Sequence, residues 1–187
     1  MRSLFLCLCS LILLVACAAR SPDHFYILNA EPAGASESRA AIGTQVWLQV
    51  TLPSLVDRGE MVLNTSANGA VVLDHERWAA PLTDQASAVL AQDIERRRSG
   101  VLVSNRRTGQ PDARLVKIIV NVVQVTARQG DRVSIETHWR IIDAHAGKDL
   151  AGNDVFNARL ESNDYAAVAR GWSACLGLLA DKLVTAL

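Results

Sequence analysis

Lys117-Ile118-Ile119-Val120-Asn121-Val122-Val123-Gln124-Val125-Thr126-Ala127 is apolar on both of its alternating faces, with Ile118, Val120 and Val122 on one and Ile119, Val123 and Val125 on the other. Side chains alternate across a strand, so this run predicts a strand inside a sheet covered on both sides. Gln129-Gly130-Asp131 then supplies a turn. Beyond it Val133, Ile135, Thr137, Trp139 and Ile141 alternate with Arg132, Ser134, Glu136, His138 and Arg140, the pattern of a strand with one face buried. So short a turn makes it antiparallel to its predecessor. The chain turns again around His145-Ala146-Gly147-Lys148, and Phe156, Ala158 and Leu160 mark a further alternating strand.

Working back toward the N-terminus, Val101-Leu102-Val103 reads as a short strand leading into a polar loop, Ser104 to Asp112. Pro81 to Arg98 changes period, with apolar Leu82, Ala86, Val89, Leu90 and Ile94 on one stripe of an amphipathic helix. Pro81 suits its first turn, and Arg96-Arg97-Arg98 complements the dipole at its end. The triple arginine reads as a solvated helix end; a patch with Arg106 and Arg107 for lipid phosphate or an acidic partner is the alternative. Met61 to Asn64 and Ala70 to Leu73 flank a turn containing Asn68-Gly69 and predict a β-hairpin. Gln45 to Leu52 alternates, with Val46, Leu48, Val50 and Leu52 on the buried side and Trp47 as the exception, until Pro53 ends regular pairing. Glu31 to Ser38 reads as a loop, and His24 to Leu28 as an early strand.

At the C-terminus, Asp164 to Leu187 places Val168, Trp172, Leu176, Leu179 and Leu183 on one helical stripe, which predicts a helix docked on the sheet, with Trp172 as a core anchor rather than a ligand platform. The expected architecture is α/β: one domain with a mixed sheet, largely antiparallel in its late strands, and two main amphipathic helices packed on it.

The N-terminus has a different character. Arg2 precedes an apolar run from Leu4 to Val15 broken only by Ser10, too short for a membrane span of about 20 residues and ending in small residues, which is the form of a secretory signal peptide. Leu14-Val15-Ala16-Cys17 resembles the bacterial lipobox. By that resemblance residues 1–16 are removed, Cys17 is the lipid-attachment residue carrying diacylglyceryl and further palmitate-type acyl chains, and residues 17–23 form a lipidated tether before a domain at 24–187. Two acyl chains suffice for stable anchoring. Cys7 and Cys9 lie inside the apolar run without small residues before them. Ala18, in place of the Asp that commonly retains such proteins at the inner membrane, implies the periplasmic face of the outer membrane.

The 187 residues carry 19 basic and 19 acidic side chains, and loss of the signal peptide removes only Arg2 from that balance. No strong field favours nucleic acid or an anionic surface. Of the four cysteines, only Cys17 and Cys175 survive processing. Cys175, in an apolar helical pattern, reads as a buried inert thiol.

Catalytic signatures are absent: there is no Gly-x-Ser-x-Gly elbow, no Gly-rich phosphate loop and no His-Glu-x-x-His. Asp74-His75-Glu76 is the densest titratable cluster, yet consecutive strand residues point to opposite faces and do not converge on a metal, so the cluster reads as a solvated strand end. His24, His138 and His145 are scattered. Asp57-Arg58 reads as an ion-paired turn, with a site as the alternative. No enzyme, cofactor or metal is expected.

Leu52-Pro53-Ser54-Leu55-Val56-Asp57-Arg58, Met61-Val62 and Arg77-Trp78-Ala79-Ala80-Pro81-Leu82 resemble the ABC-type transport auxiliary lipoproteins, the PqiC-like family. That family pairs a Leu-Pro-x-x-x-Asp-Arg segment with an Arg-Trp-Ala-x-Pro-Leu helix entry. The chain departs at Gly59-Glu60, where a Pro-Gln type of continuation is usual. The resemblance implies a non-catalytic periplasmic lipoprotein that docks on an MCE-domain transporter subunit, supports lipid transport and membrane integrity, and is compatible with a homo-oligomeric ring. Asp57, Arg58, Arg77 and Trp78 become candidate structural or partner-contact residues, with Trp78 packed at the first helix and Arg77 held by a carboxylate such as Asp57. An assembly or export-machine lipoprotein of the secretin-chaperone type shares this anchor and architecture. A periplasmic lipid-modifying enzyme would have to rely on Asp57, His75 and Glu76.

Overall fold

The computed structural model describes residues 21–31, 43–105 and 114–187. The expected signal peptide, Cys17, the start of the tether, most of the loop after Glu31, and Arg106 and Arg107 lie outside the described residues. In chain order the elements are β1 (His24–Tyr26), β2 (Thr44–Thr51), β3 (Glu60–Asn64), β4 (Ala70–Trp78), α1 (Leu82–Arg97), β5 (Val101–Ser104), β6 (Arg114–Arg128), β7 (Arg132–Asp143), β8 (Lys148–Arg159) and α2 (Tyr165–Ala186). They form a five-stranded sheet in the order β5-β2-β6-β7-β8 and a three-stranded sheet in the order β1-β4-β3. The fold is mixed α/β in one domain.

Pairing follows connection length. β6, β7 and β8 are joined by short turns and pair antiparallel, whereas β2 runs parallel to both β5 and β6, which requires long connections. One of them, from β2 to β5, contains the β3–β4 hairpin and α1. β1 pairs parallel with the end of β4, setting Tyr26 beside Trp78.

Both helices cover the same face of the large sheet. α1 packs over β2 and β5, and α2 over β7 and β8. Between the layers Leu48, Ile118, Ile135, Ile141, Leu90, Ile94, Leu176 and Leu183 are fully buried. Burying such side chains contributes about 1.5–3 kcal/mol each, which makes this interlayer the main source of stability. Cys175 lies there too, 3.4 Å from the Val133 carbonyl oxygen, and burial pushes its thiol up to about 12, leaving it un-ionised at neutral pH.

The expectation that β6 is covered on both sides fails. Val116, Ile118, Val120 and Val122 face the helices, but on the other side Ile119 is half-buried and Leu115 and Val123 are 39% and 37% exposed. Two features explain an apolar face without a second layer. The β6–β7 register shifts between Val122 and Gln124, so Val123 sits at an irregularity rather than in a continuous stripe. Trp47, the exception in β2, lies on this open face under the Lys117 ammonium, 4.3 Å from its ring centroid, a cation–π contact that shields the indole.

The arginines ending α1 hold more than solvent. Arg96 donates to the carbonyl oxygens of Ala30 and Glu31 at 3.2 and 3.1 Å, and Arg98 to that of Val184 at 3.2 Å. Arg97 bridges Asp93, at 2.7 Å, and Asp181 on α2, at 2.6 Å. Asp93 is fully buried, and burial raises its pKa against the opposing pull of Arg97. Removing one member of such a pair strands the other. Arg97→Ala is therefore expected to lower stability by about 3–5 kcal/mol, measured by denaturant unfolding, whereas Arg97→Met combined with Asp93→Leu recovers most of the loss.

Candidate partner-contact site

Pro53 ends β2 and starts a tight turn in which the Val56 and Asp57 amides both donate to the Pro53 carbonyl oxygen at 3.0 Å, and the Arg58 amide to that of Val56 at 2.9 Å. The turn buries Val56 and leaves Leu55 52% exposed at its tip. Asp57 then reaches α1. Pro81 occupies the helix N-cap and offers no side-chain acceptor; Asp57 Oδ1 instead accepts from the Thr83 amide at 3.2 Å. A carboxylate from a loop far away in sequence thus satisfies an orphan donor and complements the helix dipole.

Asp57 is not the partner of Arg77. Glu60 is, with Arg77 Nη1 2.9 Å from its Oε1 and Arg58 Nε 2.9 Å from its Oε2. The reason is register: Glu60 and Arg77 are cross-strand neighbours on β3 and β4, where opposite charges meet directly. The hydrogen bond from Arg58 is the largest influence holding the Glu60 carboxyl below the usual carboxylate range. The residue at which this chain departs from the Pro-Gln continuation is therefore the one that ties Arg58 and Arg77 together. Gly59 fits tightly beside them, since a Cβ there would meet Arg77 Nη2 at 3.0 Å.

Trp78 ends β4 immediately before α1. It is buried, and its ring meets Trp172 of α2 edge-on, centroids 6.4 Å apart at 81°. Its amide donates to the Gly59 carbonyl oxygen at 2.8 Å, and the next amide, Ala79, to that of Tyr26 at 2.9 Å. The Tyr26 hydroxyl donates to Glu76 at 2.5 Å; burial, reinforced by this carboxylate, raises it to about 12. The four residues singled out from the sequence are thus brought together around the β3–β4 hairpin and the start of α1. Asp57 and Arg58 are exposed, Arg77 is partly exposed and Trp78 is core. Sequence reasoning missed Glu60, and the signal that finds it is its place opposite Arg77 in the hairpin.

Asp74, His75 and Glu76 lie within β4 rather than at a solvated strand end. Glu76 contacts His24 at 3.1 Å, and His75 contacts Asp23 at 2.9 Å on the other face. Among the described residues no three His, Cys, Asp or Glu side chains are grouped to hold a metal, and no helix is long and apolar enough to cross a membrane.

The chain belongs to the family of ABC-type transport auxiliary lipoprotein components, whose model matches residues 26–184. Association with an ABC-type transport system in the cell envelope follows from that membership. Two crystal structures share the fold. One, of an uncharacterized protein, superposes with a TM-score of 0.70 at 16% identity, covering 89% of this chain and 99% of the other. The second, a Xanthomonas campestris protein, has a TM-score of 0.60 at 16% identity and covers 86% and 91%. No curated protein matches the chain.

Two outcomes test the structural assignments. Trp78→Ala removes a buried aromatic and is expected to cost about 3–5 kcal/mol in thermal or denaturant unfolding; unchanged stability with lost function would make Trp78 a contact residue instead. Glu60→Gln weakens both ion pairs. Because the folded-state pKa of Glu60 is depressed, its contribution is present at neutral pH and lost as pH falls through that depressed value. The melting temperatures of wild type and variant should therefore differ at pH 7 and converge in acid.

Proposed function

We propose that this protein is a non-catalytic, lipid-anchored periplasmic subunit of an MCE/ABC-type lipid transport system, held at the outer membrane through Cys17 and docking on the MCE-domain component. The observation that carries the reading is the family match across residues 26–184. The Leu52–Arg58 segment adds a local argument. Its turn is closed by three backbone hydrogen bonds, fastened to α1 through Asp57 and to the hairpin through Arg58 and Glu60, and it still presents Leu55 to solvent. A rigid tip with one exposed apolar side chain loses little conformational entropy on binding. Asp57 and Arg58 contribute by fixing the tip rather than by chemistry. In this reading the segment before β1 is a short tether, which keeps the domain near the membrane and limits its reach.

A photo-crosslinker at Leu55 in the full-length lipoprotein, activated in native membranes, is expected to capture an MCE-domain protein. Capture of a secretin or export machine would keep the anchor and fold but overturn the pathway. Cys17→Ser is expected to abolish palmitate labelling and release the protein from the membrane fraction; retained labelling would overturn the assignment of the anchor.

A further inference from the structure

Among the described residues nothing pairs with the outer edge of β8, which runs from Lys148 to Arg159 in unbroken register with β7. The Leu160 amide donates to the Asp131 carbonyl oxygen at 2.9 Å, and the Thr137 hydroxyl to that of Asp154 at 3.4 Å. Backbone groups alternate in direction along an antiparallel strand. The even-numbered residues of β8 therefore bond to β7, and the N–H and C=O groups of the odd-numbered ones, Asp149 to Arg159, point away from the sheet. Neither proline nor bulge interrupts this row, although such devices ordinarily keep an edge from pairing.

Apolar side chains flank the same edge. Val155 is 56% exposed on the open face; on the helix side Leu150 is 38% exposed and Phe156 half-buried. The Lys182 ammonium of α2 reaches Asp154 on β8 at 3.5 Å. Leu178 lies one turn earlier on that side of the helix and is 44% exposed.

The order of residues in β8 complements itself when reversed about Asn153. In an antiparallel pair centred there, Asn153 faces Asn153 of a second copy, Ala151 faces Val155, Leu150 faces Phe156 and Asp149 faces Asn157. Polar meets polar and apolar meets apolar. Opposed residues share a side of the sheet, so both copies keep their helices on one side. Gly152 faces Asp154, whose carboxylate is engaged by the Trp139 indole at 2.6 Å and by Lys182. Arg159 stands diagonal to Asp149 of the other copy, within reach of a long side chain. Centring the pair one residue later would instead set two Asp154 carboxylates face to face.

We propose that β8 pairs antiparallel with β8 of a second copy, forming a two-fold dimer with one continuous sheet. Such a contact is isologous and closes at two copies, unlike the heterologous contacts of a ring. A strand from another protein would satisfy the same backbone groups, but it would not call for the reversal symmetry of β8. The dimer does not depend on which transporter subunit docks at Leu55.

The test uses the full-length lipoprotein in a neutral detergent. Sedimentation is expected to show a dimer. Asn153 is exposed, and Asn153→Lys, which opposes two ammonium groups across the axis, should weaken dimerisation about tenfold or more. Asn153→Asp should do the same, and mixing the two variants should restore the dimer; circular dichroism of each checks the fold. Opposed Cα atoms in such a pair are about 5.5 Å apart, within disulfide range. Under a mild oxidant, Asn153→Cys is therefore expected to crosslink. Ala151→Cys alone should not, whereas Ala151→Cys co-expressed with Val155→Cys should. Cys175 is buried, and the parent chain controls for Cys17. A monomer, a dimer that survives Asn153→Lys, or a larger ring without the Asn153→Cys crosslink overturns the proposal. Ala151→Cys crosslinking to itself as readily as to Val155→Cys reports crowding in the micelle and also overturns it. Failure to capture an MCE-domain protein at Leu55 leaves these outcomes unaffected.

Discussion

The edge-to-face contact between Trp78 and Trp172 is the constraint on which the rest of the arrangement depends. Trp78 ends a strand of the small sheet, while Trp172 belongs to the helix packed on the large one. Their contact fixes the two sheets against each other at the point where the chain enters α1. Backbone hydrogen bonds from Trp78 to Gly59 and from Ala79 to Tyr26 hold the indole in place from both sides. With that corner set, the loop carrying Asp57 falls over the first turn of α1, and β1 falls beside α2.

Charge is used in two different ways around this frame. Within the helix pair, Arg97 is enclosed between Asp93 and Asp181, and Arg96 and Arg98 take up backbone carbonyl groups. These cations are satisfied and structural. At the hairpin, Glu60 neutralises Arg58 and Arg77 together. At the far end of the large sheet Arg128, Arg132 and Arg159 stand in one cross-strand row, with Asp131 beside Arg132. Buried or paired charge specifies the fold here.

Among the described residues, the four edge strands also differ in how they are protected. β1, β3 and β5 are 3, 5 and 4 residues long, and β3 carries an irregularity in its pairing, both of which discourage unwanted strand addition. β8 runs for 12 residues in continuous register with β7. Its central part is kept in place by Gly152, over which Trp139 lies so closely that a Cβ would stand 2.4 Å from the ring. The Trp139 indole N–H donates to Asp154 at 2.6 Å, so the Asp154 carboxylate is engaged by the fold.

Most of the local structure was legible in the residues themselves. The alternation in β2 and β7, the Asn68-Gly69 turn, the change of period at Pro81 and the apolar stripe of α2 are short-range consequences of backbone geometry, and they appear where the periodicities put them. The family resemblance rested on motifs of the same local kind. What required the tertiary structure was whatever depends on two segments meeting: the parallel placement of β2 between β5 and β6, the open second face of β6, Glu60 rather than Asp57 as the partner of Arg77, and Asp57 as a cap for α1. The cross-strand row of Arg128, Arg132 and Arg159 belongs here too, because Arg128 and Arg132 are close in sequence but Arg159 joins them only through the register of β8. Periodicity determines which side of a strand a residue occupies, whereas pairing across strands determines its neighbours, and only the folded chain sets that pairing.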